Sequence, residues 1–130
     1  MGSEFTFYDY VDDEGRNVVH RWLESIPKGA KAKFNNRLLH LEGTPAGGWT
    51  RPLVDTLDGS CDGLFEVRVS LSGRQYRILA FHTPDRKPTL LHCFIKSGKR
   101  VPDAECERAQ LKKVQVETDA MMHRVEHDYG

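Results

Sequence analysis

Arg68 and Arg77 are the residues of this sequence best suited to chemistry. They flank Ser72-Gly73, a tight-turn pair set between two alternating apolar stretches. A two-residue turn there pairs Leu71 with Arg74, Val69 with Tyr76, Arg68 with Arg77 and Val67 with Ile78. Two guanidiniums then stand opposite each other on one face, where like charges destabilise a strand pair. A sequence retains such a pair when an anion sits between them, and Glu66 nearby offsets part of the repulsion. The spacing also allows a solvated face on which each arginine pairs with its own acid.

The next stretch adds weight to the anion. Phe94-Ile95-Lys96-Ser97-Gly98-Lys99-Arg100 places three more cations at the end of a neighbouring strand, and Gly98 frees the backbone to curl towards a ligand. Charge is concentrated accordingly. Segment 64–100 holds 8 basic and 2 acidic residues, whereas the flanks on either side each sum to −3, so the net charge of zero hides a basic block. Guanidiniums bind phosphate oxygens as a bidentate fork and stay protonated, which suits charge developing on a phosphodiester. RNA brings its own nucleophile, the 2′-hydroxyl, so the protein has only to orient it, move protons and stabilise charge. Arg68 and Arg77 are assigned the charge. Lys96, whose charged form is disfavoured among other cations, is assigned the base, with Lys99 or Arg100 towards the leaving group. His92 shares strand parity with Lys96 and is the other acid or base candidate, or else a packed strand histidine. Arg74 and Arg51 are candidate RNA contacts. Trp49 and Phe81 could stack a base, with core packing the commoner use of Phe81.

These side chains need elements to hold them. Helical spacing covers 16–26 through Val18, Val19, Trp22, Leu23 and Ile26, with Asp13 or Asn17 as the cap. A second helix runs from about Ala30 to Glu42. Ala30, Phe34, Leu38 and Leu41 form its apolar face, and Lys31, Lys33, Arg37 and His40 lie mostly off it. Residues 49–54 form a linker with one short strand at most. Strands are expected at Leu64–Leu71, Gln75–His82 and Thr89–Lys96. A long helix starts at Pro102-Asp103, with Asp103 as its cap, and residues 122–130 form a frayed tail. His20, His40, His123 and His127 are expected at the surface.

The chain has 130 residues, 38% hydrophobic and 29% charged, which fits one folded domain spanning 6–130. Met1-Gly2-Ser3-Glu4-Phe5 looks like a cloning scar and is set aside. No apolar run approaches a membrane span and no signal peptide is apparent, so a cytoplasmic protein without membrane contact is expected. Three cysteines without a C-x-x-C pair argue for reduced thiols, with Cys93 buried. No H-E-x-x-H pattern occurs, and no metal or other cofactor is expected.

Leu64-Phe65-Glu66-Val67-Arg68, Tyr76-Arg77-Ile78-Leu79, Leu91-His92-Cys93-Phe94-Ile95-Lys96, Pro102 and Ala109 together resemble the phage-derived, HigB-like branch of the RelE/ParE toxin superfamily. The resemblance covers most of residues 7–115. It implies an α+β fold: an N-terminal helical hairpin packed on a twisted three- to four-stranded antiparallel sheet, with a C-terminal helix. It implies the toxin of a type II toxin–antitoxin pair, a metal-free endoribonuclease (mRNA interferase) that cuts mRNA in the ribosomal A site. A HigA-like antitoxin with a helix-turn-helix domain would be its partner. By this resemblance Arg77 contacts the scissile phosphate, Arg68 is the basic residue of the preceding strand, Lys96 opens the F-x-K-K motif, and Lys99 and Arg100 form the late basic pair. Ser97 replaces the second lysine of that motif. The catalytic tyrosine of RelE has no counterpart, since Tyr129 lies far out in the tail. A ParE-like gyrase poison on the same fold, and a module that binds nucleic acid or a partner without catalysis, are the other readings.

Overall fold

The structure is a computed structural model and describes residues 4–130. Met1, Gly2 and Ser3 of the segment set aside above lie outside the described residues. Glu4 and Phe5 belong to the fold: Arg86 holds Glu4, and the Phe5 ring meets Trp49 edge-on at 4.9 Å.

The described chain forms β1 (Tyr8–Tyr10), α1 (Val18–Ser25), α2 (Lys28–Glu42), β2 (Val54–Thr56), β3 (Phe65–Leu71), β4 (Arg74–Phe81), β5 (Thr89–Lys96), α3 (Asp103–Thr118), α4 (Ala120–His123) and β6 (Arg124–Glu126). The class is α+β, as expected, but the sheet is larger and mixed. Its six strands run β2-β3-β4-β5-β1-β6. The meander β3-β4-β5 is antiparallel, β1 joins it parallel to β5, and β6 runs antiparallel to β1. β1 and β6 have only three residues each, too short to show an alternating pattern, so they form only because neighbouring strands template them.

The hairpin register is the expected one: Leu71 opposite Arg74, Val69 opposite Tyr76, Arg68 opposite Arg77 and Val67 opposite Ile78. Ser72 and Gly73 both adopt positive φ, 52° and 80°, the conformation whose twist matches that of the flanking strands. Alternation then sorts the side chains. Val67, Val69, Tyr76 and Ile78 pack under α1 and α2 with Leu23, Phe34 and Leu38. On the other face Leu79, Phe81, Leu91 and Phe94 meet Cys106, Ala109 and Val116 of α3. A register shift between Leu79 and Ala80 lets Leu91 join His92 on the α3 side of β5. Each fully buried aliphatic or aromatic side chain contributes about 1.5–3 kcal/mol.

Three sequence expectations are corrected here. The tail is docked: β6 pairs with β1, and His123 and His127 are buried. His127 Nδ1 lies 2.8 Å from Asp9 Oδ1 and Nε2 lies 2.9 Å from Asn35 Oδ1, so buried polar partners supply what the thin apolar pattern of the tail does not. Cys61 and Cys106 form a disulfide joining the turn at 59–61 to α3, where reduced thiols were expected; Cys93 is free and half-buried. The residue capping α3 is Pro102, with Asp103 inside the first turn, where its carboxylate accepts from Ser60 Oγ at 2.6 Å. Asn17 does cap α1, accepting from the His20 N–H at 2.8 Å. No helix among the described residues is long and apolar enough to cross a membrane.

Candidate functional site

β2 pairs with β3 only as far as Val67, which leaves the hairpin end of β3 as an uncovered edge. Here the two arginines come together. Glu66, Arg68 and Arg77 all lie on the α3 face of the sheet. Arg68 Nε and Arg77 Nε are each 3.5 Å from one atom, Glu66 Oε1. The guanidiniums are thus neither splayed to opposite faces nor locked to separate acids.

Arg77 is 3% exposed and lies deepest. Its Nη1 donates to Tyr76 O at 2.9 Å and its Nη2 to Gln75 Oε1 at 2.9 Å, which fixes the fork. Burial pulls its pKa below the ordinary arginine value, and Glu66 opposes that shift. Arg68 is half-buried, and its only ion-pair partner among the described residues is Glu66.

α2 completes the groove around the sheet edge. Lys33 donates to Ser70 O at 2.9 Å, and Arg37 sits beside it one helical turn on. Lys33, Arg37, Arg68 and Arg77, with Ser70 and Gln75, line a groove of about 350 Å³ that no carboxylate lines. Arg37 has no ion pair among the described residues, and burial lowers its pKa. Four cations facing one space repel one another, so the groove is an electrostatic site for an anion. Sequence reasoning missed Lys33 and Arg37. Their i, i+4 spacing off the apolar face was visible, but which sheet edge that face would meet was not.

The late cations stand elsewhere. Lys96, Lys99 and Arg100 line a separate cavity of about 210 Å³ that also contains Asp55, Asp58 and Asp103. Glu66 forms part of that cavity, so its carboxyl is the partition between the two spaces. The expectation of one pocket holding all five cations is therefore corrected to two basins sharing a wall. Lys96 remains next to the groove: it is the cross-strand partner of Gln75, and it is the largest of the charges stabilising the Glu66 carboxylate. Arg100 is exposed, 3.9 Å from Asp103.

The other candidates are held by structure. His92 does point to the same face as Lys96, but both ring nitrogens face α3, Nε2 at 3.2 Å from Glu105 Oε1 and Nδ1 at 3.0 Å from Lys112 Nζ. Burial, then Lys112, lowers its pKa. Trp49 cannot present a face to a base: it is buried among Phe5, Phe7 and Phe65, with Nε1 donating to Thr44 O at 2.9 Å. Phe81 is likewise in the core. Arg51 makes a fork with Asp55, at 3.0 and 3.1 Å, and Arg74 is exposed at the hairpin turn. Tyr129 packs against the His127 ring and its hydroxyl is buried, away from the groove. Among the described residues no three His, Cys, Asp or Glu side chains are grouped to hold a metal ion.

The fold and site together are those of a small α+β domain with a cationic groove at an open sheet edge. The family model described as Phage derived protein Gp49-like (DUF891) matches residues 21–114, a span running from α1 into α3 that includes every cation of the groove. The chain belongs to that Gp49-like, phage-derived family, which is associated with the toxins of toxin–antitoxin pairs. No curated protein matches it.

Proposed function

We propose that this protein is the HigB-like toxin of a type II toxin–antitoxin pair and acts as a metal-independent mRNA interferase on ribosome-bound mRNA. The observation that carries the reading is the groove in which Lys33, Arg37, Arg68 and Arg77 face one space. A single-stranded RNA backbone laid along it places one phosphodiester over Arg77, with Arg68 and Arg37 on either side. The 2′-hydroxyl gives up its proton and attacks phosphorus. The P–O5′ bond breaks to leave a 2′,3′-cyclic phosphate and a 5′-oxygen that takes up a proton, and the guanidiniums stabilise the charge that grows on the non-bridging oxygens. Removing one such donor typically lowers the rate about 100- to 1,000-fold. Proton transfer is assigned to Lys96, next to the groove through Gln75, with Lys99 and Arg100 in the basin beyond Glu66 on the leaving-group side. A HigA-like antitoxin with a helix-turn-helix domain would neutralise the toxin by covering the groove, and the site of action would be the cytoplasm.

Inducing the protein in bacteria and mapping mRNA 5′ ends tests this, beside an Arg68→Ala variant. Cuts inside translated codons that vanish in the variant support the reading. DNA double-strand breaks without mRNA cuts would assign a ParE-like gyrase poison, and unimpaired growth a binding module without catalysis.

A further inference from the structure

Glu66 is unusual among the groups of the site. It is 1% exposed, yet neither nearby guanidinium makes a hydrogen bond to it. At 3.5 Å both Nε atoms are ion-pair neighbours of Oε1 only, while Oε2 and Arg77 Nε are buried without any hydrogen-bond partner. Buried polar groups are almost always satisfied, so a counter-ion serving only the fold would close these bonds. Every strand around it brings a charge: Asp55 on β2, Arg68 on β3, Arg77 on β4 and Lys96 on β5. Lys99, Arg100, Asp58 and Asp103 face its cavity side, and Arg37 of α2 faces Arg77. Burial raises its pKa above the ordinary glutamate value. Lys96, Arg77 and Arg68 oppose this, in that order.

We propose that Glu66 is the positioning residue of the groove: its carboxylate holds Arg68 and Arg77 in place while the groove is empty, and it takes up a proton when a phosphate binds them. This rests on reading the groove as a phosphate site. A tetrahedral oxyanion there adds negative charge a few ångströms from the carboxylate and draws Arg68 away from it. Both changes disfavour ionised Glu66. The coupling is reciprocal, so the oxyanion binds more weakly as pH rises through the titration of Glu66 in the empty protein. Glu66→Gln keeps the shape, removes the competing charge, and gives an affinity that is higher at neutral pH and no longer follows that titration.

The test follows the Glu66 side-chain carboxyl carbon and the arginine side chains by NMR in protein labelled at glutamate and arginine, with Glu66→Gln to assign the carboxyl signal. Titrations are run with sodium sulfate and with sodium chloride at matched ionic strength; sulfate does not itself titrate in this range. The expected result is a Glu66 midpoint higher by about one pH unit or more in sulfate, corresponding to roughly tenfold coupling. A midpoint unmoved by sulfate that does shift the Arg68 and Arg37 side-chain signals overturns the proposal and leaves the groove as a phosphate site. Arginine signals that ignore sulfate overturn the phosphate site, and this proposal with it. Should Glu66→Gln fold poorly, Glu66→Asp, which also removes the labelled glutamate signal, supplies the assignment, and the wild-type titration decides the matter.

Discussion

Arg68 and Arg77, directly opposite on adjacent strands, share a single oxygen of Glu66 at 3.5 Å each. One buried carboxylate thus serves two cations, and the groove keeps a positive excess that a pair of separate salt bridges would have cancelled.

Glu66→Leu leaves the Arg77 guanidinium buried without its countercharge, and the expected loss of stability is about 3–5 kcal/mol by chemical denaturation. Glu66→Gln costs less. Because burial raises the folded-state pKa of Glu66, its carboxyl ionises first in the unfolded chain as pH climbs above the ordinary glutamate range. Wild-type stability, measured against Glu66→Gln, therefore falls from that range upward and levels off once the folded carboxyl has ionised. A wild-type-minus-variant difference that rises over the same interval would contradict the assignment.

His92 has the opposite sign. Its pKa is lowered by burial and by Lys112, so the unfolded chain takes up a proton near the ordinary ~6.5 while the folded ring stays neutral to lower pH. The stability it contributes is complete above about 6.5 and is lost as pH falls below. Denaturation at pH 7 and pH 5 should show a larger drop for wild type than for His92→Gln. Nitrogen NMR should find the proton on Nε2, facing Glu105, because Nδ1 accepts from Lys112.

The Cys61–Cys106 disulfide spans 45 residues and closes a loop containing β3, β4 and β5. Constraining a loop of that length in the unfolded chain is worth about 4 kcal/mol. Cys61→Ser, or a dithiol reductant, should lower the melting temperature in a calorimeter, and the two treatments should not add. A melting curve indifferent to both would show that the two thiols stay apart in solution.

The docked tail predicts that removing residues 124–130 destabilises the whole domain. His127→Ala alone leaves Asp9 buried with only Asn17 as partner, at a cost of about 3–5 kcal/mol. Proteolysis confined to the last residues, with no change in melting, would instead describe a tail that adds nothing.

The hairpin was readable residue by residue because alternation and a Ser-Gly turn fix register locally. The Arg68–Arg77 pairing followed from that alone. β1 and β6 were invisible for the converse reason, since three-residue strands carry no pattern and gain their bonds from partners far away in the chain. Glu66 could be read as a neighbour of the two arginines, but not as buried; β2 pairing beside it and the turn at 59–61 lining its cavity come from distant parts of the chain. The grouping of the cations failed in the same way. Sequence neighbours suggested Lys96, Lys99 and Arg100 as companions of the arginine pair, whereas the open edge of β3 recruits Lys33 and Arg37 from α2. Local spacing sets register, and only tertiary packing decides which helix meets an edge.

Cleavage of RNA in the groove is read out in a purified reaction. Wild type and Arg68→Ala are each added to ribosomes stalled on a defined mRNA, and the ends produced are sequenced and chemically typed. The expected result is cuts within the ribosome-bound codons that leave a 2′,3′-cyclic phosphate, about 100-fold or more slower for Arg68→Ala, with the variant still folded by circular dichroism. Equal rates for the two proteins, or intact mRNA with folded wild type, would contradict it.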